Sequence, residues 1–257
     1  MQEENRFSKK IFADENDLSA ALVSACSLLQ VSSQNASAEF HKYTTLRAAA
    51  TLEGGKIHLK ASDGFRSASG EVLLGLCLYL ASRLFMKRVR SEHEKYVGDY
   101  AEFTASEGSH KLSNSMRVLR GRRREARPKG EFHNLNESIA RVAAEYWNVL
   151  GNVSLPTPTW GDRQSTRVLG FYDDAFNEIV INKALDDRRV PDFVLDYVVY
   201  HELLHAKHSP HYARGKSLRT TVHTAAFKRD EGKYPRLAEA RAWVSRNRRL
   251  FYEIRNF

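Results

Sequence analysis

The sequence predicts an α+β fold in which a small, mostly antiparallel sheet packs against helices, one of them carrying a His-Glu-x-x-His motif in the C-terminal half. Three observations predict it. Apolar residues recur at helical spacing in several separate segments, short strand-like runs, the first of them alanine-rich, flank glycine or polar turns, and one apolar stretch ends in His201-Glu202-Leu203-Leu204-His205.

The elements follow in chain order. Residues 17–31 have apolar positions at helical spacing behind Asn16, a favourable cap. Residues 46–52 and 56–60 read as two short strands about the turn Glu53-Gly54-Gly55. Residues 71–88 make a helix apolar on most sides, and therefore central. No regular structure is expected between residues 91 and 130. Residues 136–150 form an amphipathic helix with Ile139, Val142, Ala143, Tyr146 and Leu150 on one face. A connection through Pro156 and Pro158 leads to Trp160. Residues 167–172 and 178–182 then read as strands joined by the polar turn 173–177. Pro191 suits the first turn of the next helix, where its missing N–H costs nothing, and that helix runs into the motif.

The chain of 257 residues has room for one large domain or two small ones. The change in regularity places the division at residue 130, between a region 1–130 and a domain 131–257. Hydrophobic content of 42% and charged content of 28% are those of a soluble globular protein. The longest apolar run, residues 72–80, is far below the roughly 20 residues that cross a bilayer, so no membrane partner is expected. The N-terminus has no apolar signal region. Cys26 and Cys77 sit in apolar stretches without a disulfide or CxxC framework, so a reducing, cytoplasmic setting is expected. The net charge of +9 attracts polyanions. Residues 117–129, from Arg117 to Lys129, hold seven basic residues and one acidic residue. This segment is either a solvated linker or a nucleic-acid contact made mostly to phosphates.

The motif carries the chemistry. Residues four apart on a helix share a face, so His201 and His205 can both reach one tetrahedral zinc ion. Glu202, beside the first ligand, is free to take a proton from a metal-activated water. A catalytic zinc needs a third protein ligand, for which His208, His211, His223 and Glu239 are candidates.

Trp160, then Leu169-Gly170-Phe171-Tyr172, then Ile179-Val180-Ile181-Asn182, then residues 196–205 (DYVVYHELLH) together resemble the SprT/YgjP-like metallopeptidases. So do His223-Thr-Ala-Ala-Phe227, Pro235 and the basic, aromatic segment 241–246. The resemblance spans residues 134–246. It implies a zincin-like fold, a zinc ion held by His201, His205 and His223, and hydrolysis of protein or peptide substrates with Glu202 as general base. His211 stays open as third ligand, because His208-Ser-Pro-His211-Tyr212 partly imitates the H-x-x-x-F pattern. The sequence departs from the family between His205 and His223, which is longer than in compact members, and at Gly161-Asp162, where the family has Gly-Ser-Cys.

The hairpin edge around Val180 is expected to align an extended peptide, and Tyr212 or Tyr234 to be a half-buried packing residue rather than an oxyanion donor. Some relatives act on proteins attached to DNA, a role that the basic segment and Arg246, Arg248, Arg249 and Arg255 would suit. Two other readings stand beside this one: a catalytically idle, nucleic-acid-binding scaffold, and a zinc hydrolase of non-peptide substrates.

Overall fold

Apolar side chains collect into two separate cores, and the chain divides with them. The computed structural model describes residues 13–32, 34, 36–162, 168–208 and 222–251. Those of the first unit lie within Met1–Gly121, and those of the second within Arg122–His211 and Thr221–Phe257. Residues 122–130 therefore belong with the second unit. The fold is α+β, but its sheets are mixed rather than mostly antiparallel: each unit has three strands with one parallel and one antiparallel pair. Among the described residues, no helix is long and apolar enough to cross a membrane.

In the first unit, α1 (Glu15–Leu28) is capped by Asp14 rather than Asn16. The Asp14 carboxylate accepts from the N–H groups of Asn16 and Asp17, and Asp17 accepts in turn from the Asp14 N–H. Three strands follow: β1 (Ser37–His41), β2 (Ala48–Glu53) and β3 (Lys56–Ser62), in the order β1-β3-β2. The hairpin turn is the expected one. Gly54 and Gly55 have φ of +56° and +76°, which the tight turn needs and a side chain resists. The unexpected strand β1 lies parallel to β3.

Helix α2 (Gly70–Leu84) is central as expected, and stops before Met86, whose φ is +52°. Cys26 and Cys77 are buried free thiols in this core, and burial pushes both thiol pKa values up. Where irregular chain was expected, there are two helices, α3 (Glu94–Ala105) and α4 (Glu107–Arg120). The apolar contribution of α3 comes from Tyr96, Val97, Tyr100 and Phe103, which are partly buried and pack on the core. Close crossing of α2 and α3 requires Gly75, since a Cβ there would sit 1.8 Å from the Tyr96 carbonyl oxygen.

In the second unit, α5 (Leu135–Glu145) and α6 (Trp147–Leu150) replace the single expected helix, with a break at Tyr146. The strands β4 (Thr157–Trp160), β5 (Gly170–Asp173) and β6 (Glu178–Ile181) form a sheet in the order β4-β6-β5. Strand β6 is buried at every position, and after Glu178 it reads as a continuous apolar run rather than an alternating one. Val180 thus lies on the central strand and offers no edge. Helix α7 (Asp192–Lys207) is buried around most of its circumference, and α8 (Ala225–Glu231) and α9 (Leu237–Arg246) complete the layer.

Residues 123–127 of the basic segment are not a free arm. The Arg127 N–H donates to Thr159 Oγ1 at 3.0 Å and the Trp160 N–H donates to the Arg127 carbonyl at 3.1 Å, so this segment runs along the outer edge of β4. Asp173 and Glu178 face each other across the β5–β6 hairpin, and both are buried. Two such carboxylates would repel. Arg123 reaches Glu178 at 3.1 Å and Arg124 reaches Asp173 at 3.4 Å, which neutralises the pair.

Two glycine substitutions in adjacent helices are expected to act in opposite directions. Gly75→Ala forces two backbones apart and should cost about 2 kcal/mol or more. Gly98→Ala, with nothing within 4 Å, should stabilise by about 0.5–1 kcal/mol through helix propensity. Denaturant unfolding of both variants measures the difference.

Candidate metal centre

Helix α7 places His201 and His205 one turn apart on one face. The third imidazole comes from just before α8, whose cap Thr224 accepts from the Phe227 N–H at 3.2 Å and so fixes how the chain enters that helix after His223. The rings of His201, His205 and His223 form a nearly equilateral triangle, with centroid separations of 4.9, 5.0 and 5.0 Å. One ligand atom from each lies within 4.8 Å of the others. Nε2 of His205 and Nε2 of His223 are 3.2 Å apart. Two nitrogens bound tetrahedrally at ~2.0–2.1 Å to one ion would be roughly 3.3 Å apart. The donor set therefore fits a metal ion.

Phe227, fully buried, floors the triangle. Its ring centroid is 5.1 Å from His201 and 4.7 Å from each of the other two. Desolvation by burial, aided by the neighbouring His201 and His223, lowers the pKa of His205 to about 4. Burial lowers that of His201 as well, against an opposing pull from Glu231. Both are thus neutral near pH 7, the form that offers a lone pair. His223 is exposed, so the centre opens to solvent on its side.

The His201 tautomer is set by a residue that no motif marked. Nδ1–H of His201 donates to Glu231 Oε1 at 2.9 Å, which leaves its Nε2 as the free donor. Glu231 is held in turn by the Tyr197 hydroxyl at 2.9 Å and by Arg241 at 2.9 Å. Burial pushes the Glu231 carboxyl up, but the bonds from His201, Tyr197 and Arg241 outweigh it and keep it below its ordinary value.

Glu202 is buried beneath β5. A Cβ on Gly170 would meet the Glu202 Cγ and Oε1 at 3.1 Å each, so any larger residue would push against the carboxylate. The Tyr172 N–H donates to the Glu202 carboxylate, while Oε2 has no hydrogen-bond partner. Burial raises the Glu202 pKa to about 8, with only the Tyr172 N–H opposing it.

The remaining candidates are elsewhere. His208 bonds to Asp230 Oδ2 at 2.9 Å, and Glu239 pairs with Arg236 at 2.7 Å. Tyr234 is buried, donates to the Phe193 carbonyl at 2.7 Å and packs among Tyr146, Tyr197 and Tyr200, as a packing residue does. His211, Tyr212, Arg167 and Arg255 lie outside the described residues. Sequence reasoning missed Glu231 and Arg241, which have no fixed spacing from the motif, and Tyr197, which lies one helical turn before His201 without any mark of its role. Gly170 was visible only as the glycine of the hairpin. No protein-family model, no curated protein and no solved structure matches the chain.

Two outcomes follow from these contacts. Glu231→Gln should weaken divalent-metal affinity by about 10–100-fold while leaving the fold intact, as read by competitive titration with a chromophoric chelator. A carboxyl whose pKa is raised on folding loses stability as pH climbs from its unfolded value towards the folded one. Metal-free Glu202→Gln should therefore melt several degrees above the metal-free parent at pH 8, at about 2–4 °C per kcal/mol relieved, with the gap closing towards pH 5.

Proposed function

We propose that the chain is a zinc-dependent peptidase of the SprT/YgjP-like kind, hydrolysing peptide bonds in protein substrates. The observation that carries this reading is the combination of three converging imidazoles with a buried, incompletely bonded Glu202 beside them. A purely structural metal site would leave that carboxylate without a purpose, and burying it unpaired is unfavourable.

His201, His205 and His223 would hold the zinc ion. When bound, it supplies a Lewis acid for a carbonyl oxygen and acidifies a water molecule. The Glu202 carboxylate would receive the proton from the attacking water and deliver it to the leaving amine nitrogen. A cation nearby favours the ionised form of Glu202, which suits the accepting step. Glu231, through Nδ1 of His201, keeps the ligand ring oriented and its other nitrogen unprotonated.

An extended substrate would lie along β5. The Leu169 carbonyl accepts from the Asn182 N–H on the β6 side, so by alternation the polar groups of Gly170 and Tyr172 face away from the sheet. The carbonyls of those two residues would accept from the substrate backbone, next to Glu202. Edge addition of this sort aligns a peptide with little regard to its side chains. DNA-associated substrates are left out of the proposal, because Arg120, Arg123, Arg124 and Arg127 are engaged by carboxylates of the chain itself.

The test pairs metal analysis with turnover. Zinc-loaded protein should cleave unfolded casein, and Glu202→Gln should lower the rate at least about 100-fold while zinc content stays at one per chain. His223→Ala should lose the metal and the activity together. A loaded, folded protein that cleaves no polypeptide would sink the peptidase reading and leave hydrolysis of another substrate class.

A further inference from the structure

Each sheet has one outer edge already in use. The outer side of β4 is met by residues 125–127, and on the outer side of β1 the Ala38 carbonyl accepts from Ser19 of α1 at 3.4 Å. The edge of β5 belongs to the substrate in the function proposed above. Strand β2 has no such assignment. It is exposed along most of its length, and among the described residues no hydrogen bond reaches the outer edge of residues 48–53, although just before the strand the Leu46 N–H donates to Ser113 Oγ of α4 at 3.3 Å.

Strand edges of this kind are usually guarded by lysine, proline, a bulge or a covering element. Residues 48–52 (AAATL) have none of these, and their pairing with β3 runs without a bulge. The direction of the free groups can be assigned. The Arg47 carbonyl accepts from the Ser62 N–H at 2.8 Å, so Arg47, Ala49, Thr51 and Glu53 bond inward to β3. Ala48, Ala50 and Leu52 therefore present their N–H and C=O groups outward.

We propose that β2 is a homodimer interface, pairing antiparallel with β2 of a second copy across a two-fold axis at Ala50. In this register Ala50 faces Ala50 of the second copy and Ala48 faces Leu52. All six outward backbone groups of each strand then find partners. The same register places Arg47 opposite Glu53 at both ends of the ladder, so opposite charges meet twice. Backbone and charge criteria thus select one alignment independently. Leu52, which is 44% exposed, lies against the small Ala48 of the other copy, and the alanine side chains let the strands approach without obstruction. The Arg47 guanidinium, stacked on the Tyr43 ring at 4.4 Å, is already directed and keeps its edge free for a carboxylate. The result is one continuous six-stranded sheet. An isologous contact of this type closes on itself and does not propagate into fibres.

The interface is short, so the dimer is expected in the weak range and is best sought near about 100 μM protein. Sedimentation equilibrium of the full chain should give a dimer there. Ala50→Pro removes an outward N–H without touching the β2–β3 ladder, so it should give a folded monomer with an unchanged circular dichroism spectrum. Arg47→Glu and Glu53→Arg should each weaken association by about 3- to 30-fold, since two like-charge pairs replace two attractive ones. The double variant should restore it. Slower amide exchange at Ala48, Ala50 and Leu52 on raising protein concentration would support the same strand. A monomeric parent at that concentration, a dimer indifferent to Ala50→Pro, or a double variant no better than its parents would overturn the proposal.

Discussion

The bond from His201 Nδ1 to Glu231 fixes a metal-site imidazole and the packing of the helices around it at once. It joins α7 to α8, and through Arg241 it joins both to α9. The carboxylate at its centre is buried, so it is tolerable only because three donors converge on it. The neighbouring Asp230 works in parallel, accepting from Lys207, His208 and Lys233. Two consecutive acidic residues at the end of α8 thus hold the C-terminal half of α7 at two points. The orientation of His223, which leads into the same short helix, follows from that docking. Metal geometry and helix packing are therefore one problem here, solved by the same two side chains.

Against this stands the cost of what the centre keeps uncompensated. The imidazoles of His201 and His205, packed against Phe227, are desolvated and held neutral, and Glu202 retains an oxygen without a partner. Each is unfavourable for a folded chain and useful to a site that must hold a cation and move a proton. Gly170 belongs to the same balance. It removes a side chain from a strand, where glycine packs poorly, so that a carboxylate can lie against the backbone.

How far the sequence reveals this depends on whether the signal is local. The spacing of His201 and His205, the glycine turn at Gly54-Gly55 and the apolar content of α2 are all statements about neighbours along the chain, and each has its counterpart in the structure. His223 emerged from a pattern rather than from physics, although Thr224 and Phe227 give that pattern a mechanism as cap and floor. Helix α3 was missed because Gly98 and its charges dilute an aromatic face that is clear only once Gly75 brings α2 against it. Strand β1 was missed because its partner is β3, across an intervening hairpin. Glu231 had no local signal at all. Its role exists only after two helices have docked.

The arginine-rich segment shows the same limit from the other side, since here a strong local signal led away from the structure. A run of like charges reads as a repelling, solvated arm when its counter-charges are distant in sequence. The counter-charges are Asp173 and Glu178, which close the hairpin carrying Gly170 and Tyr172. Removing the arginines would leave two facing buried carboxylates and would loosen the strand that lies over Glu202. Charge reversal at Arg123 or Arg124 would therefore disturb the metal centre whether or not nucleic acid ever touches the segment. Loss of DNA retention in such a variant would not separate contact from misfolding. The net charge of +9 consequently says less about a polyanion partner than it does in a chain whose basic run is unpaired.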